Sequence, residues 1–250
     1  MTIRAVLFDL GGTLLHYWDP HHGDPQRPFR RLTLLGFREV VIRAADGSPV
    51  PSFETMTEIL DQHIGASFRA LAGELRGGSV ETPVRAALAE LGYPLDDRQW
   101  AALRPAYYAA LEPLVSPRKG VRETLEALHS SGTKMGIISN TWWAADFHDS
   151  HLAHYEILDL LPVRIYSCEQ EHVKPHPAIF ENALQQIGVE AGQAVYVGDR
   201  PDIDVRGAQG AGMRAVLIHT PYQDAPLDEV VPDAVIDELP ELPAALEKLA

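Results

Sequence analysis

Asp9 closes the apolar run Val6-Leu7-Phe8 and is followed by Leu10-Gly11-Gly12-Thr13. The stretch from Ile3 to Phe8, interrupted by Arg4, reads as a buried strand of a parallel sheet. A carboxylate at the C-terminal edge of such a strand, ahead of a tight Gly-Gly turn, suits covalent attack on an electrophile such as phosphorus. Turns of this composition also arise for structural reasons, so the motif alone leaves both readings open.

Three further segments place reactive groups in the same way. The apolar run from Lys134 ends in Ser139-Asn140-Thr141, where a hydroxyl can donate to a phosphoryl oxygen or cap the next helix. In Val173-Lys174-Pro175-His176-Pro177, the first proline favours an extended Lys174 and the second fits a helix's first turn. An ammonium fixed there would offset charge on a transferring phosphoryl group; an exposed surface lysine is the plainer alternative. Finally, Val195-Tyr196-Val197-Gly198-Asp199 is followed by Asp202 and Asp204. Mg²⁺ takes one or two carboxylates and keeps several waters, which Asp199 and Asp9 would suit. Helix capping by Asp199 or Asp202 is the competing reading.

These residues need elements that hold them, and the chain supplies two patterns. Residues 1–15 and 116–250 alternate short apolar strands with amphipathic helices. Strands are predicted at 3–8, 134–139, 163–167, 194–198, 214–219 and 234–236, and helices near 118–131, 176–188, 203–211 and 240–249. That alternation indicates an α/β fold with a doubly wound parallel sheet. Residues 16–115 read as an inserted all-helical domain. Phe53, Met56, Leu60, Ile64, Phe68, Leu71 and Leu75 recur at helical spacing, and Val84, Leu88 and Leu91 mark a second helix. Asp96 or Asp97 can cap a third through Trp100, Leu103 and Tyr107, bent at Pro105, and 28–44 is also helical.

Bulk properties narrow the class. Of 21 Lys/Arg and 35 Asp/Glu, residues 16–114 hold 10 and 13; the remaining 11 and 22 give the rest of the chain a charge of −11 out of −14. So acidic a surface argues against nucleic acid as a partner. No apolar run approaches the ~20 residues that span a bilayer, and the N-terminus reads as a strand rather than a secretory leader. A single cysteine, Cys168, excludes an internal disulfide and fits a reducing compartment, so a cytoplasmic location is expected. Oligomeric state leaves no signature.

Taken together, the four motifs resemble, in order and spacing, those of the haloacid dehalogenase superfamily, and the resemblance covers the whole core. It implies a Rossmann-like core with an inserted helical cap, and a Mg²⁺-dependent hydrolase, most often a phosphatase of small phosphorylated metabolites. On that resemblance Asp9 is the nucleophile, and Gly12, Thr13, Ser139, Asn140 and Lys174 hold the phosphoryl group. Asp9, the carbonyl of Gly11 and Asp199 bind the metal, and Asp204 supports Lys174 or the metal's surroundings.

Gly11 departs from the pattern, because the family's usual second Asp, the general acid/base, belongs there. The metal site survives, since only a carbonyl is used at this position. A missing acid/base typically costs ~10²–10⁴ in rate. Three readings follow: a phosphatase whose leaving groups need no proton, such as acyl phosphates, aryl phosphates or anhydrides; a substitute donor among His16, Asp19, His21 and His22; or a weakly catalytic or non-catalytic binder of a phosphorylated ligand or protein. A 2-haloacid dehalogenase is a further alternative, because halide leaves without a proton.

Overall fold

The structure, a computed structural model, describes residues 2–17, 28–72, 75–220 and 230–250, with the side chains of 28–32 and 68–72 outside that description. Asp19, His21 and His22 therefore lie outside the described residues. The chain falls into two compact units, Met1–His16 with Leu75–Gly77 and Ser116–Ala250, and Tyr17–Glu74 with Gly78–Val115.

The larger unit is built on six strands: β1 (Ala5–Phe8), β4 (Lys134–Ser139), β5 (Val163–Tyr166), β6 (Ala194–Gly198), β7 (Arg214–Ile218) and β8 (Ala234–Ile236). Two short strands the sequence pattern did not signal, β2 (Leu15–Tyr17) and β3 (Val115–Pro117), form a separate pair. The six-stranded sheet runs β5-β4-β1-β6-β7-β8 and its pairings are all parallel. Every residue of β1 is fully buried, as expected of a central strand covered on both faces. Phe8 is level with Ile137 on one side and Val197 on the other, so Asp9, Ser139 and Asp199 emerge together at the C-terminal edge. The chain leaves β1 toward β4 and β5, then crosses back to β6 on its other side. Such a switch point opens the crevice where ligands of open α/β sheets bind.

Among the described residues, five helices belong to this unit: α5 (Val121–Ser130), α6 (Ala145–His154), α7 (Pro177–Ile187), α8 (Arg206–Gly210) and α9 (Leu242–Leu249). Ile179, Phe180, Ala183 and Leu184 of α7 share one apolar cluster with Leu7, Ile138 and Tyr196 of the sheet. The helix expected near 203–211 is instead a π-turn, Pro201–Val205, running into the short α8. The π-turn carries Asp204 inward, and a Cβ on Gly198 would lie 2.5 Å from its carboxylate.

The helical unit comprises α1 (Pro28–Ala44), α2 (Phe53–Ala72), α3 (Glu81–Glu90) and α4 (Asp97–Ala109). Its core joins Phe37, Val41, Met56, Leu60, Leu88 and Tyr107. Gly36 lets α1 meet α4, since a Cβ there would lie 2.6 Å from the Tyr107 ring. Asp96 caps α4 by accepting from the Gln99 amide at 2.7 Å, while the Gln99 side-chain oxygen accepts from the Asp96 amide at 2.9 Å. Among the described residues, no helix is long and apolar enough to cross a membrane.

Candidate active site

Asp9, Lys174, Tyr196 and Asp204 converge although they come from four separate segments. The Lys174 ammonium donates to Asp9 Oδ1, the Tyr196 hydroxyl and Asp204 Oδ1, each at 2.7 Å. All three ammonium protons are thereby committed. Burial alone would strip the charge from Lys174, but the Asp204 and Asp9 carboxylates outweigh it and raise its pKa. The Tyr196 hydroxyl passes its own proton to the Ile138 carbonyl at 2.8 Å.

Backbone contacts fix the same lysine. Asn140 accepts from the Lys174 amide at 2.8 Å and donates to the Lys174 carbonyl at 2.8 Å. Its side-chain amide, expected to touch phosphate, thus braces the lysine's main chain through one of its two N–H groups. Asp204 is pinned as well, its Oδ2 accepting from the Arg200 amide at 3.0 Å.

The loop after β1 differs from the expectation at Gly12. The Gly12 amide donates to the Leu15 carbonyl at 2.7 Å, so it is not offered to a ligand. What Gly12 supplies is the absence of a side chain: at φ +85° its Cβ would lie 2.5 Å from Asp199 Oδ2. Thr13 is fully buried, and its hydroxyl has no partner among the described residues. The Gly11 carbonyl takes no part in the turn's hydrogen bonds, which run to Leu10 and Leu15. Ser139 is buried as the last residue of β4.

Oxygens of Asp9, Asp199 and Asp204 lie within 4.8 Å of one another. Burial, partly offset by Lys174, raises Asp9 to about 6. Burial, then Asp9 and Asp204, pushes Asp199 well above the usual carboxylate range. Lys174 pairs directly with Asp9 and Asp204, whereas among the described residues Asp199 receives a side-chain hydrogen bond only from the Thr220 hydroxyl, at 3.4 Å. The cluster is one cation short, and its all-oxygen donors suit a hard ion such as Mg²⁺.

His16 does not arrive as an acid. Burial first, and the charge of Arg118 second, lower it to about 4, so near neutral pH the ring is uncharged. Donating from it would leave an imidazolate, and the substitute-donor reading loses its described member.

The family model for haloacid dehalogenase-like hydrolases matches residues 53–218, a span that includes Ser139, Lys174, Asp199 and Asp204. The chain belongs to this family. Among its relatives is a glyceraldehyde 3-phosphate phosphatase of Methanopyrus kandleri, 34% identical over 65% of this chain and 70% of that protein. Pyrophosphatase PpaX of Halalkalibacterium halodurans is 27% identical over 97% of this chain and 96% of its own. A crystal structure of a 2-haloacid dehalogenase from Pseudomonas syringae superposes over the whole of both chains with a TM-score of 0.68 at 27% identity. This haloacid dehalogenase-like hydrolase thus has both phosphatase and dehalogenase relatives, and the geometry must weigh between them.

Arg118, Tyr196 and Thr220 escaped the sequence reading. Tyr196 did leave a signal, a hydroxyl inside an otherwise aliphatic buried strand, which must find a partner. Arg118 and Thr220 left none.

Proposed function

We propose that the protein is a Mg²⁺-dependent phosphohydrolase of small phosphorylated molecules, working through a phosphoryl-Asp9 intermediate. The observation carrying this reading is the deficit of one cation at Asp9, Asp199 and Asp204. Asp199, raised first by its burial and then by Asp9 and Asp204, stands beside the nucleophile without a paired cation of its own, which a bound metal ion would supply. Asp9, Asp199 and the Gly11 carbonyl would hold the ion, which would offset charge on the phosphoryl oxygens when bound.

An Asp9 oxygen attacks phosphorus, the bond to the leaving oxygen breaks, and the leaving group departs with the electron pair. Water then cleaves the acyl phosphate, releasing inorganic phosphate and restoring Asp9. Lys174, held by Asn140 and Tyr196, keeps a positive charge beside the attacking carboxylate. Ser139 lies at the same sheet edge, placed to donate to a phosphoryl oxygen. The helical unit acts as the cap that governs access and specificity. With glycine at position 11 and a neutral His16, the favoured substrates are those whose leaving group needs no proton. Acyl phosphates, aryl phosphates and phosphoanhydrides qualify, the last in keeping with the relative named as a pyrophosphatase.

Phosphate release from acetyl phosphate and para-nitrophenyl phosphate, with Mg²⁺ or EDTA and beside Asp9→Asn, tests the reading. Metal- and Asp9-dependent release supports it. Halide release from a 2-haloacid without metal, and no phosphate release, would replace it with dehalogenation, the reading in keeping with the relative described as a 2-haloacid dehalogenase.

Gly11→Asp is expected to raise turnover of alkyl phosphates ~10-fold or more, with less effect on aryl phosphates, because only the former need a proton. Equal effects on both series would show that leaving-group protonation does not limit the rate.

Metal-free protein should lose stability as pH rises through about 6, because folded Asp9 holds its proton more tightly than an unfolded Asp at 3.8. At ~1.4 kcal/mol per pKa unit the loss is at most ~3 kcal/mol. Mg²⁺ should therefore raise Tm more at about pH 7.5 than at about pH 5, where protons compete for the carboxylates. Thermal melts with the same shift at both pH values would contradict this.

A further inference from the structure

Arg118 stands outside the Asp9–Lys174–Asp204 network, yet it is only 7% exposed. Its guanidinium donates to the carbonyls of Gly12 at 2.6 Å, His219 at 2.6 Å and Asp237 at 2.8 Å. Its own amide donates to the Leu14 carbonyl at 2.9 Å. Three of the loops at the sheet's C-terminal edge, after β1, β7 and β8, therefore meet on one side chain. Among the described residues no carboxylate forms an ion pair with it; its side-chain hydrogen bonds go to carbonyl oxygens, while Glu238 and Asp199 act on its charge from further away.

A buried charge without a directly paired carboxylate is an expensive way to tie loops together, and neutral amides could satisfy the same acceptors. The choice of partner explains it. Gly12 belongs to the turn that begins at Asp9, includes the Gly11 carbonyl and rests against Asp199. A charged, planar donor holds a carbonyl more strongly and in a narrower orientation than a neutral one.

We propose that Arg118 is a positioning residue. Through the Gly12 carbonyl it locks the Asp9–Thr13 turn in the orientation needed for attack, tying it to the loops after β7 and β8. This rests on Asp9 being the nucleophile. Because Arg118 acts through the turn and not on the ligand, its removal should lower kcat and spare KM. A misplacement of about 1 Å at a reacting group costs on the order of 10²-fold.

Arg118→Met and Arg118→Lys test this in the full chain with Mg²⁺, using acetyl phosphate and para-nitrophenyl phosphate, beside the parent and Asp9→Asn. The Met variant should lose ~30- to 100-fold in kcat with KM within about threefold. The Lys variant, which keeps a charged donor for Gly12, should recover at least about threefold of that loss. A folded Met variant with parental kcat would overturn the proposal, as would a rise in KM at unchanged kcat. Both variants unfolding at the assay temperature would reduce Arg118 to a stabilising contact and overturn it too. A parent without Asp9-dependent turnover would instead sink the phosphohydrolase reading, and this inference with it.

Discussion

Asp9→Asn should reduce phosphate release by at least ~10⁴-fold while leaving the fold intact. Asparagine keeps the shape of the side chain but removes the attacking anion. Stability should change little, because burial already disfavours the charged carboxylate and raises Asp9 to about 6. Lys174 keeps Asp204 and the Tyr196 hydroxyl as partners after the change. Initial rates on acetyl phosphate, with thermal melts of both proteins, check the two halves together. Residual turnover within tenfold of the parent would exclude Asp9 as nucleophile, and a large fall in Tm would show that its charge is structural.

Lys174→Met is expected to damage both activity and stability, with a distinctive pH dependence. The ammonium is buried between Asp9 Oδ1 and Asp204 Oδ1, each 2.7 Å away. Removing it leaves two buried carboxylates facing each other without compensation, which typically costs 3–5 kcal/mol. Asp9, already raised to about 6 by burial, loses the charge that partly offsets that burial and should bind its proton more tightly in the variant. The destabilisation should thus be largest at about pH 7.5 and shrink toward about pH 5, where Asp9 is protonated in the native variant. Urea unfolding of metal-free parent and variant at the two pH values measures it. A pH-independent loss, or one under ~1 kcal/mol, would mean that the ammonium is not what balances the two acids. Turnover should fall by ~10²-fold or more, since the charge beside the nucleophile is lost.

The three reactive strand ends, at Asp9, Ser139 and Asp199, were legible because each is a local pattern of an apolar run, a polar residue and a turn, whereas Lys174, in the loop before α7, was marked by its flanking prolines. The parallel sheet was legible for the same reason, and β4, β6 and β8 have the bounds that hydrophobicity predicts. Helix α6 was not, because two of its four buried residues, His148 and His151, are histidines and hide the apolar face among polar letters. Strands β2 and β3, three residues each, are too short to carry a period. Leu75–Gly77 joins the larger unit because the Val173 amide donates to the Leu75 carbonyl at 2.8 Å, a pairing across distant chain that no local pattern announces.

By itself, then, the sequence determined the strand-helix alternation and the family, and marked Asp9, Ser139, Lys174, Asp199 and Asp204 as candidates, all of which depend on spacing along the chain. Tertiary structure decided what those residues can do. Asp9 and Lys174 are 165 positions apart and share a proton-bearing contact. Asn140 turns from the expected ligand contact into a brace for the lysine, His16 is held neutral, and Arg118 is drawn beneath the Gly12 carbonyl. Each of these depends on burial and on which charges and dipoles come within a few ångströms, and those distances exist only after the chain has folded.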